Sequence, residues 1–358
     1  MVNLDVVKTA NAALTKSQPL VAVFVSTSGI GTYVLQALAS HANKGQGLRA
    51  YIVARKKAAA DKLIAECQTL CPKGQFRFVQ TDDLALLKNV DRVCAEITDA
   101  ETKEVAACSG KPKIDLLVMT QGILAFDGRR ETEEGIDQSV SLLYYSRMRF
   151  ITQLIPLLTE SSLPGHVVSV FGPQRDEKLF LDDISLRNSK NYGFGSMGSH
   201  ASYLKTFYFE YLAAKFPGKL SLIHYFPGLV ATDAFNGESV PMFIKLTWKL
   251  MTPLQKLFTV PKAECGERIL FLASKRFPAR NSCNTAREQR LHSLAGIEVA
   301  VASDGVVGGG AYRVDWDGGI IPIKKNYEKL RADGWGEKFV AHTNKVFADI
   351  EAGKVLTE

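Results

Sequence analysis

The sequence predicts an α/β fold in which a doubly wound parallel sheet carries helices on both faces. Apolar runs such as 21–25 and 50–54 are typical of strands that are buried on both sides. Stretches with helical apolar spacing alternate with these runs, and the connections between them are short. This alternation predicts successive strand–helix–strand units, whose strands lie parallel in one sheet.

The elements follow in a regular order along the chain. The predicted strands span 21–25, 49–54, 76–80, 114–119, 166–170 and 220–225. The predicted helices span 32–41, 58–70, 84–98, 138–158 and 199–215. Because no internal repeat or interdomain linker is visible, residues 1–275 are predicted to form one domain. Residues 276–358 are predicted to pack on it as a C-terminal extension, with a β-hairpin over 308–319 and a helix over 335–350.

Composition and charge narrow the class of protein before any motif is considered. The chain has 358 residues, 46% of them hydrophobic and 23% charged, which excludes a disordered or disulfide-stapled chain. Its net charge of +7 permits an anionic ligand but does not indicate a nucleic-acid partner. The N-terminus lacks a signal-peptide core, and no apolar run reaches the roughly 20 residues of a membrane span. Six scattered cysteines without zinc spacing fit reduced thiols, so we predict a cytoplasmic protein without a metal site.

A glycine-containing turn, 26–31, joins the first predicted strand to the first predicted helix. Such a turn lets backbone N–H groups approach a pyrophosphate at the N-terminus of the helix. Its place after the first strand of an alternating chain favours a nucleotide site. The alternative is a tight turn with no ligand.

Several motifs, in this order and spacing, resemble the short-chain dehydrogenase/reductase family over residues 18–275. These motifs are Thr27–Gly31, Asp82, Ile114–Val118, Leu154–Pro156, and Pro227–Gly228 with Thr232. Three further strings resemble a subgroup of the family that is common in fungal secondary-metabolite clusters, namely Glu131–Gly135, Tyr144–Arg147 and His224–Gly228. The resemblance implies a Rossmann-type fold and a nicotinamide cofactor.

The resemblance also implies which residues would face the cofactor. Arg55, just after the second strand, suits a 2′-phosphate and favours NADP(H), the alternative being a solvated loop charge. Asp82 would approach the adenine, and Thr232 would reach the carboxamide or the phosphates. The full predicted set is Ser26, Thr27, Ser28, Gly29, Ile30, Gly31, Arg55, Asp82, Gln121, Gly122, Pro227, Gly228 and Thr232. The family usually has a further Gly where this chain has Val25 or Ser26, so NADP(H) binding is expected to be weakened or lost.

The family's catalytic tetrad of Ser, Tyr, Lys and Asn is missing. In the same order, its positions fall on Gly172, Gly198, Ser202 and a residue near Leu143. A tyrosine needs a neighbouring cation to work at neutral pH, since its ordinary pKa is about 10. Tyr203 and Lys205 do not restore the pair, because residues two apart on a helix point about 200° apart.

Other polar residues near the same cleft are predicted to carry the chemistry instead. His200 has an ordinary pKa suited to acid–base work, the alternative being a solvent-facing position at a helix start. Tyr192 would cross the cleft mouth, Tyr144 would project from the long helix, and Ser169 would end the strand beside the cleft. Each of these has a plain packing role as its alternative. Arg147 is interpreted as the partner of a surface carboxylate.

Residues 235–262 are predicted to form a substrate lid. Its central part, 241–258, is rich in apolar and aromatic residues and carries three lysines without an acidic residue. An apolar lid predicts a hydrophobic small-molecule substrate. The alternative is a basic amphipathic helix on a membrane surface, which Pro253 disfavours.

Three functions are therefore open. The first is a non-redox cyclisation, isomerisation or dehydration of a hydrophobic polyketide- or terpenoid-like metabolite. The second is an NADP(H)-dependent ketone reductase or alcohol dehydrogenase with a substitute proton donor. The third is a non-catalytic binding partner, since fold does not fix function. A homodimer is left open.

Overall fold

Seven strands of the described residues form one parallel sheet, which confirms the predicted α/β class. The structure is a computed structural model, and it describes residues 1–25, 28–106, 110–123, 126–232, 237, 239–281 and 297–357. The strand order is β3-β2-β1-β4-β5-β6-β7. The strands are β1 (Leu20–Val25), β2 (Leu48–Ala54), β3 (Gln75–Gln80), β4 (Leu116–Met119), β5 (Gly165–Val170), β6 (Leu220–Tyr225) and β7 (Ala311–Val314).

Helices cover both faces of this sheet. The described helices of four residues or more are α1 (Leu4–Ser17), α2 (Ile30–Ala42), α3 (Lys57–Leu70), α4 (Leu87–Ala106), α5 (Ser146–Leu158), α6 (Phe194–Lys215), α7 (Met242–Leu250), α8 (Gln255–Phe258), α9 (Lys262–Leu270), α10 (Asn326–Ala332) and α11 (Trp335–Glu351). Alternate residues of β1 enter two separate cores. Val21, Val23 and Val25 pack with α4, α5, α6 and α11, whereas Ala22 and Phe24 pack with α1, α2, α3 and α9. Burial on both faces explains why the strand residues form continuous apolar runs.

The strand order reverses beside β1, and this reversal places the candidate site. Val25 pairs with Val53 of β2 on one side and with Met119 of β4 on the other. In open α/β sheets, ligands bind outside the carboxyl ends of the strands at such a reversal. The carboxyl edge of the sheet is therefore where the functional residues are expected.

Two predicted helix boundaries differ from the structure for identifiable reasons. The helix predicted over 84–98 begins at Leu87, because the Glu134 carboxylate accepts hydrogen bonds from the N–H groups of Leu87 (2.7 Å) and Lys88 (2.9 Å). The helix predicted over 138–158 contains a π-helical turn at Ser141–Tyr145, which lies between a short α-helical turn and α5. Helix α1 was missed, since few of its side chains enter the core.

The C-terminal extension contributes directly to the sheet. Strand β7 lies beyond residue 275 and pairs in parallel with β6, for example Ile223 with Tyr312. The predicted hairpin over 308–319 is present in a shortened form, in which Val314 and Ile320 make an antiparallel bridge and the Asp315 N–H donates to the Gly319 carbonyl at 2.8 Å. Helix α11 then packs against α6.

No helix in the described ranges is long and apolar enough to cross a membrane. The same part of the chain contains no group of His, Cys, Asp or Glu side chains that could hold a metal ion. Cys67, Cys71, Cys94 and Cys265 are buried free thiols, whereas Cys108 and Cys283 fall outside the described residues.

Candidate active site

The glycine turn lies at the carboxyl end of β1, directly before α2. Gly29 has a φ of +62°, a conformation that favours glycine, and a Cβ added there would lie 3.1 Å from Thr232 Cγ2. The predicted cofactor residues Gly29 and Thr232 are therefore in contact. Ile30 and Gly31 begin α2, and Ser28 is exposed before it. Ser26 and Thr27 lie outside the described residues.

Two predicted cofactor residues extend the same edge of the sheet. Arg55 follows β2 and Asp82 follows β3, so the strand order brings both alongside Gly29. Both side chains are exposed, and Arg55 makes no hydrogen bond or ion pair with the described part of the chain. An unpaired guanidinium at this position is available to a phosphate.

The predicted Pro227–Gly228 turn follows β6 and is tightly enclosed. Gly228 has a φ of +70°, and a Cβ added there would lie 2.9 Å from Val260 Cγ2 and 3.2 Å from Trp316 Cβ. Val260 belongs to the predicted lid and Trp316 to the C-terminal extension. The turn is therefore the point at which these two segments meet the sheet edge.

Arg175 lies against Gly172 and Gly198, the two glycines to which the sequence motifs assign the family's catalytic Ser and Tyr. A Cβ added at Gly172 would lie 3.2 Å from Arg175 Cγ, and one added at Gly198 would lie 3.0 Å from Arg175 Cδ. The exposed Arg175 guanidinium lies 5.0 Å from the centroid of the Phe194 ring. Ser202 is buried and donates to the Pro173 carbonyl at 2.8 Å. That the family's catalytic hydroxyl groups are absent from these positions stays a prediction.

Arg147 is the central buried cation of the site. Its Nη1 donates to Ser169 Oγ and to the Val170 carbonyl, both at 2.8 Å, and its Nε donates to the Leu142 carbonyl at 3.0 Å. Its Nη2 donates to the Gln121 carbonyl. The side chain is 1% exposed, and burial lowers the pKa of Arg147 to about 9. The interpretation of Arg147 as a surface ion-pair partner is wrong, because the helix turns it inward against carbonyl groups.

Ser169, His224 and Arg313 stand in one row across three strands. Ser169 pairs in register with His224, and His224 with Arg313, so the three side chains lie on the same face of the sheet. Arg313 pairs with the buried Asp176 at 2.7 Å. Neither ring nitrogen of His224 has a hydrogen-bond partner among the described residues.

Lys205 of α6 completes this group, which we call the cationic cluster (Arg147, Lys205, His224 and Arg313). Its side chain is fully buried, and Nζ has no hydrogen-bond partner among the described residues. Burial and the positive charge of Arg147 lower the pKa of Lys205 well below its usual value. Burial likewise lowers the pKa of His224, helped by the neighbouring cations.

The Phe171 ring lies between the cationic cluster and Gly198, the position that the sequence motifs assign to the family's catalytic tyrosine. Lys205 Nζ lies 5.3 Å from the centroid of this ring, and the His224 ring lies parallel to it at 6.2 Å. A Cβ added at Gly198 would lie 3.5 Å from Phe171 Cζ. Phe171 therefore lies between the cationic cluster and Gly198.

The predicted catalytic His200 is held by backbone groups on both sides of its ring. Nε2 accepts from the Phe180 N–H at 3.0 Å, which leaves Nδ1 to donate to the Ile184 carbonyl at 3.1 Å. Burial lowers the pKa of His200. The residue is 1% exposed, so the alternative of a solvent-facing helix start is wrong. Its contacts are those of a neutral residue that fastens the 176–186 loop, and its catalytic role stays a prediction.

The other three candidates also have close partners. Tyr192 donates to Asp137 at 2.9 Å, and the Tyr144 hydroxyl lies 2.7 Å from Thr343 of α11. Tyr144 thus faces the C-terminal extension rather than the carboxyl edge of the sheet. Ser169 alone among the predicted catalytic residues contacts the cationic cluster.

Gln121 and Gly122 follow β4 at the edge of the same site. The Gln121 carboxamide is buried without a hydrogen-bond partner among the described residues. A Cβ added at Gly122 would lie 3.8 Å from Arg147 Nη2. Sequence reasoning placed these two residues correctly at the strand end but did not anticipate the cation beside them.

A shared signal could have revealed part of the cationic cluster. Ser169, His224 and Arg313 are each the second-last residue of a largely apolar strand. Polar side chains at matching positions of adjacent strands meet on one face, and a buried charge in an apolar strand needs a specific reason. No local pattern marks Lys205, whose neighbours come from distant segments.

The parallel sheet, the glycine turn and the strand reversal define an α/β protein of the dinucleotide-binding class. The chain is 38% identical over 355 residues to short-chain dehydrogenase/reductase SAT2 of Stachybotrys chartarum, covering 98% of both chains. It is 37% identical over 334 residues to oxidoreductase AN1596 of Emericella nidulans, covering 92% of this chain and 93% of the relative. The chain therefore belongs to the short-chain dehydrogenase/reductase family, as the sequence motifs predict. No protein-family model matches it.

Solved structures support the same fold. L-sorbose reductase from Gluconobacter frateurii superimposes with a TM-score of 0.52 at 18% identity, covering 87% of this chain and 99% of the reductase. Carbonyl reductase from chicken fatty liver gives a TM-score of 0.51 at 13% identity, covering 86% of this chain and 100% of that structure. At these identities the similarity shows the fold alone.

Proposed function

We propose that this protein is an enzyme of secondary metabolism that converts a hydrophobic polyketide- or terpenoid-like carbonyl compound without net redox change. Cyclisation, isomerisation and dehydration are the reactions in this class. The observation that supports the proposal is the buried Arg147 beside the buried, unpartnered amine of Lys205 at the carboxyl edge of the sheet. The assignment of the family's catalytic positions to glycines and Ser202 is part of the proposal.

The geometry supports proton transfer next to a carbonyl group. Arg147 keeps its charge at neutral pH, since its pKa of about 9 lies above neutrality. A fixed cation in a low-dielectric site stabilises the negative charge that develops on a carbonyl oxygen. The lowered pKa of Lys205 favours a neutral amine, which can accept a proton from the adjacent carbon. Neither the stabilisation of charge by Arg147 nor the acceptance of a proton by Lys205 requires a nicotinamide.

The edge of the sheet also retains features that fit NADP(H). Gly29, Gly31, Arg55 and Asp82 would hold the pyrophosphate, 2′-phosphate and adenine portions. The nicotinamide, when bound, supplies hydride transfer. Both solved structures named above contain bound NADPH. The second candidate is therefore an NADP(H)-dependent reductase or alcohol dehydrogenase with a substitute proton donor such as His200 or Tyr192.

A comparison of turnover with and without cofactor separates the two candidates. The purified full chain is incubated with the hydrophobic metabolites of a host strain that lacks it, with and without NADPH. Product that forms equally in both samples, without loss of nicotinamide absorbance, supports the non-redox reaction. Product that requires stoichiometric NADPH overturns it in favour of the reductase. Stoichiometric copurification of another protein without turnover would favour a non-catalytic partner.

The remaining predictions concern the lid, the partners, the oligomeric state and the location of the protein. The lid helix α7 exposes apolar side chains, including Phe243 (70% exposed) and Leu250 (79%), which suits contact with a hydrophobic ligand. A homodimer, the absence of nucleic-acid and membrane contacts, and a cytoplasmic location stay predictions.

A further inference from the structure

Within the described part of the chain, the basic side chains of the cationic cluster outnumber the carboxylates that contact them. Asp176 is the carboxylate that contacts the cluster, and it is shared by Arg313 at 2.7 Å and Lys324 at 3.4 Å. Arg147 contacts only carbonyl and hydroxyl oxygens, and no described carboxylate contacts Lys205. A buried charge without a counter-charge, such as Arg147, and a buried amine without a hydrogen-bond partner, such as Lys205, are both costly, so a fold that keeps them side by side needs a reason.

We infer that the cationic cluster binds the substrate as an anion, through the ionised oxygen of an enolised 1,3-dicarbonyl compound or of a carboxylic acid. The inference deepens the proposed function and rests on it for the location of the substrate. It names the substrate class as hydrophobic acids rather than neutral ketones. The ionised oxygen supplies the negative charge that Arg147 and Lys205 lack.

The unpartnered donors around the cluster match this ligand. Lys205 Nζ has three donor positions, and none of them is used by the described residues. The Gln121 carboxamide and the His224 ring are also buried and without partners in this part of the chain. An anionic oxygen accepts several hydrogen bonds at once, and it is favoured by both nearby cations.

The apolar surroundings select the rest of the ligand. The Phe171 ring forms one wall beside Lys205 and His224, and Leu143 Cδ2 lies 3.5 Å from a Cβ added at Gly122. On the solvent side of Phe171, the exposed Arg175 side chain lies over Gly172 and Gly198. Displacement of this side chain would open the site, and its positive charge favours the approach of an acid.

Binding of an anion should be coupled to proton uptake. The titratable and charged groups around Lys205 are Arg147 of α5, His224 of β6, and Arg313 of β7 with Asp176. In the free protein burial and Arg147 keep the pKa of Lys205 low. A neighbouring anion favours the ammonium form and raises that pKa, so Lys205 takes up a proton as the anion binds. Affinity for the anion should therefore fall as pH rises above the pKa of the unliganded Lys205.

Calorimetric titration of the full chain tests this inference with two matched pairs of probes. Benzoylacetone is an acidic 1,3-diketone and butyrophenone its non-acidic analogue, whereas decanoate and decanamide form the carboxylate pair. Titration in buffers of different ionisation enthalpy measures the protons taken up. We expect the acidic member of at least one pair to bind about tenfold or more tightly than its neutral analogue. Decanoate is already ionised and should bind with net proton uptake, whereas benzoylacetone should pass its own proton to Lys205, with little net uptake from the buffer. The pair that responds identifies the acid class.

Variants locate the effect on the cluster. Lys205→Met should lose both the preference for the anion and the proton uptake, whereas Lys215→Met, an exposed position of the same helix, should keep both. Equal binding of acid and neutral analogue, no binding of any probe, or an unchanged Lys205→Met variant would overturn the inference. If Lys205→Met does not fold, proton uptake by the unmodified chain still decides. Anion binding with proton uptake in an enzyme that proves to consume NADPH would overturn the proposed function but leave this inference intact.

Discussion

Buried ionisable side chains at the amino end of the sheet have partners of opposite charge, whereas those at the carboxyl end include two that no described carboxylate contacts. At the amino end, Glu101 is fully buried and accepts from Arg49 at 2.7 and 2.8 Å and from the Tyr51 hydroxyl at 2.9 Å. At the carboxyl end, Arg147 and Lys205 are equally buried, but no described carboxylate contacts either of them. The first group resembles an ordinary structural ion pair, and the second does not.

The difference shows where desolvation of a buried charged group is left without compensation, namely at the carboxyl end of the sheet. Pairing and hydrogen bonding offset most of the desolvation of Glu101 and Arg49. The desolvation of Lys205 is not offset within the protein, so its pKa falls instead. Groups with strongly shifted pKa values cluster at functional sites because ligand binding or catalysis uses them. Four predictions test this contrast, from the largest expected effect to the smallest.

Removal of the paired carboxylate should have the largest effect. Glu101→Ala leaves the buried Tyr51 hydroxyl without its partner and Arg49 with only the longer contacts to Glu104 and Gln75, so the free energy of unfolding should fall by about 3–5 kcal/mol. Urea unfolding of the purified variant measures the change. Glu96→Ala, an exposed position of the same helix, should leave stability nearly unchanged. A small loss for Glu101→Ala would mean that the amino-end pair is not the stabilising member of the comparison.

The equivalent substitution at the carboxyl end should have the opposite sign for stability. Lys205→Met removes an uncompensated buried amine, so the free energy of unfolding should rise by roughly 1–3 kcal/mol. Turnover of the substrate should fall about 100-fold or more, because the proton acceptor is lost. Lys215→Met serves as the control and should alter neither quantity. A destabilised Lys205→Met variant with full activity would assign Lys205 a structural role.

The pH dependence of stability should separate the two ends further. The folded state holds Lys205 at a lowered pKa, so between that value and the unfolded pKa of about 10.4 the unfolded state binds more protons. The free energy of unfolding should therefore rise with pH in this range, by at most about 1.4 kcal/mol per pH unit. Measurement between about pH 7 and 9 should show this rise in the natural sequence and not in Lys205→Met. An identical slope in both proteins would contradict the lowered pKa.

An unpaired but exposed cation should show the smallest effect on stability. Arg55→Ala should leave the free energy of unfolding within about 0.5 kcal/mol, because water already solvates the guanidinium. If the site takes NADP(H), the same change should weaken NADPH binding about tenfold and leave NADH binding unaffected. Fluorescence titration with the two cofactors measures both affinities. Equal losses for NADPH and NADH would mean that Arg55 does not contact the 2′-phosphate.

The sequence predicted the strands closely and the catalytic residues poorly, for different physical reasons. A strand buried on both faces must be apolar throughout, so β1, β5 and β6 were placed within one residue of their observed bounds. Helix α1 was missed because only Val7, Asn11 and Thr15 of its residues are buried, which leaves a weak apolar stripe.

The candidate site depended on contacts that no local pattern encodes. The π-helical turn inserts an i to i+5 bond, in which the Ser146 N–H donates to the Ser141 carbonyl. A prediction that continues an α-helical period through this turn misplaces Tyr144 and Arg147 around the helix. The glycine turn follows β1 at the strand reversal, where its sequence position places it, and Gly29 lies against Thr232. The role of this turn in binding a cofactor stays a prediction.

Strand β7 has a consequence for the order in which the protein is made. It carries Arg313, the ion-pair partner of Asp176, and is the last strand of the described chain to leave the ribosome. Until then, β6 is an open edge and Asp176 lacks that partner. The site is therefore completed only once β7 has emerged, after strands β1 to β6 have had time to fold. A prematurely terminated chain could retain a cofactor turn while lacking a complete catalytic edge.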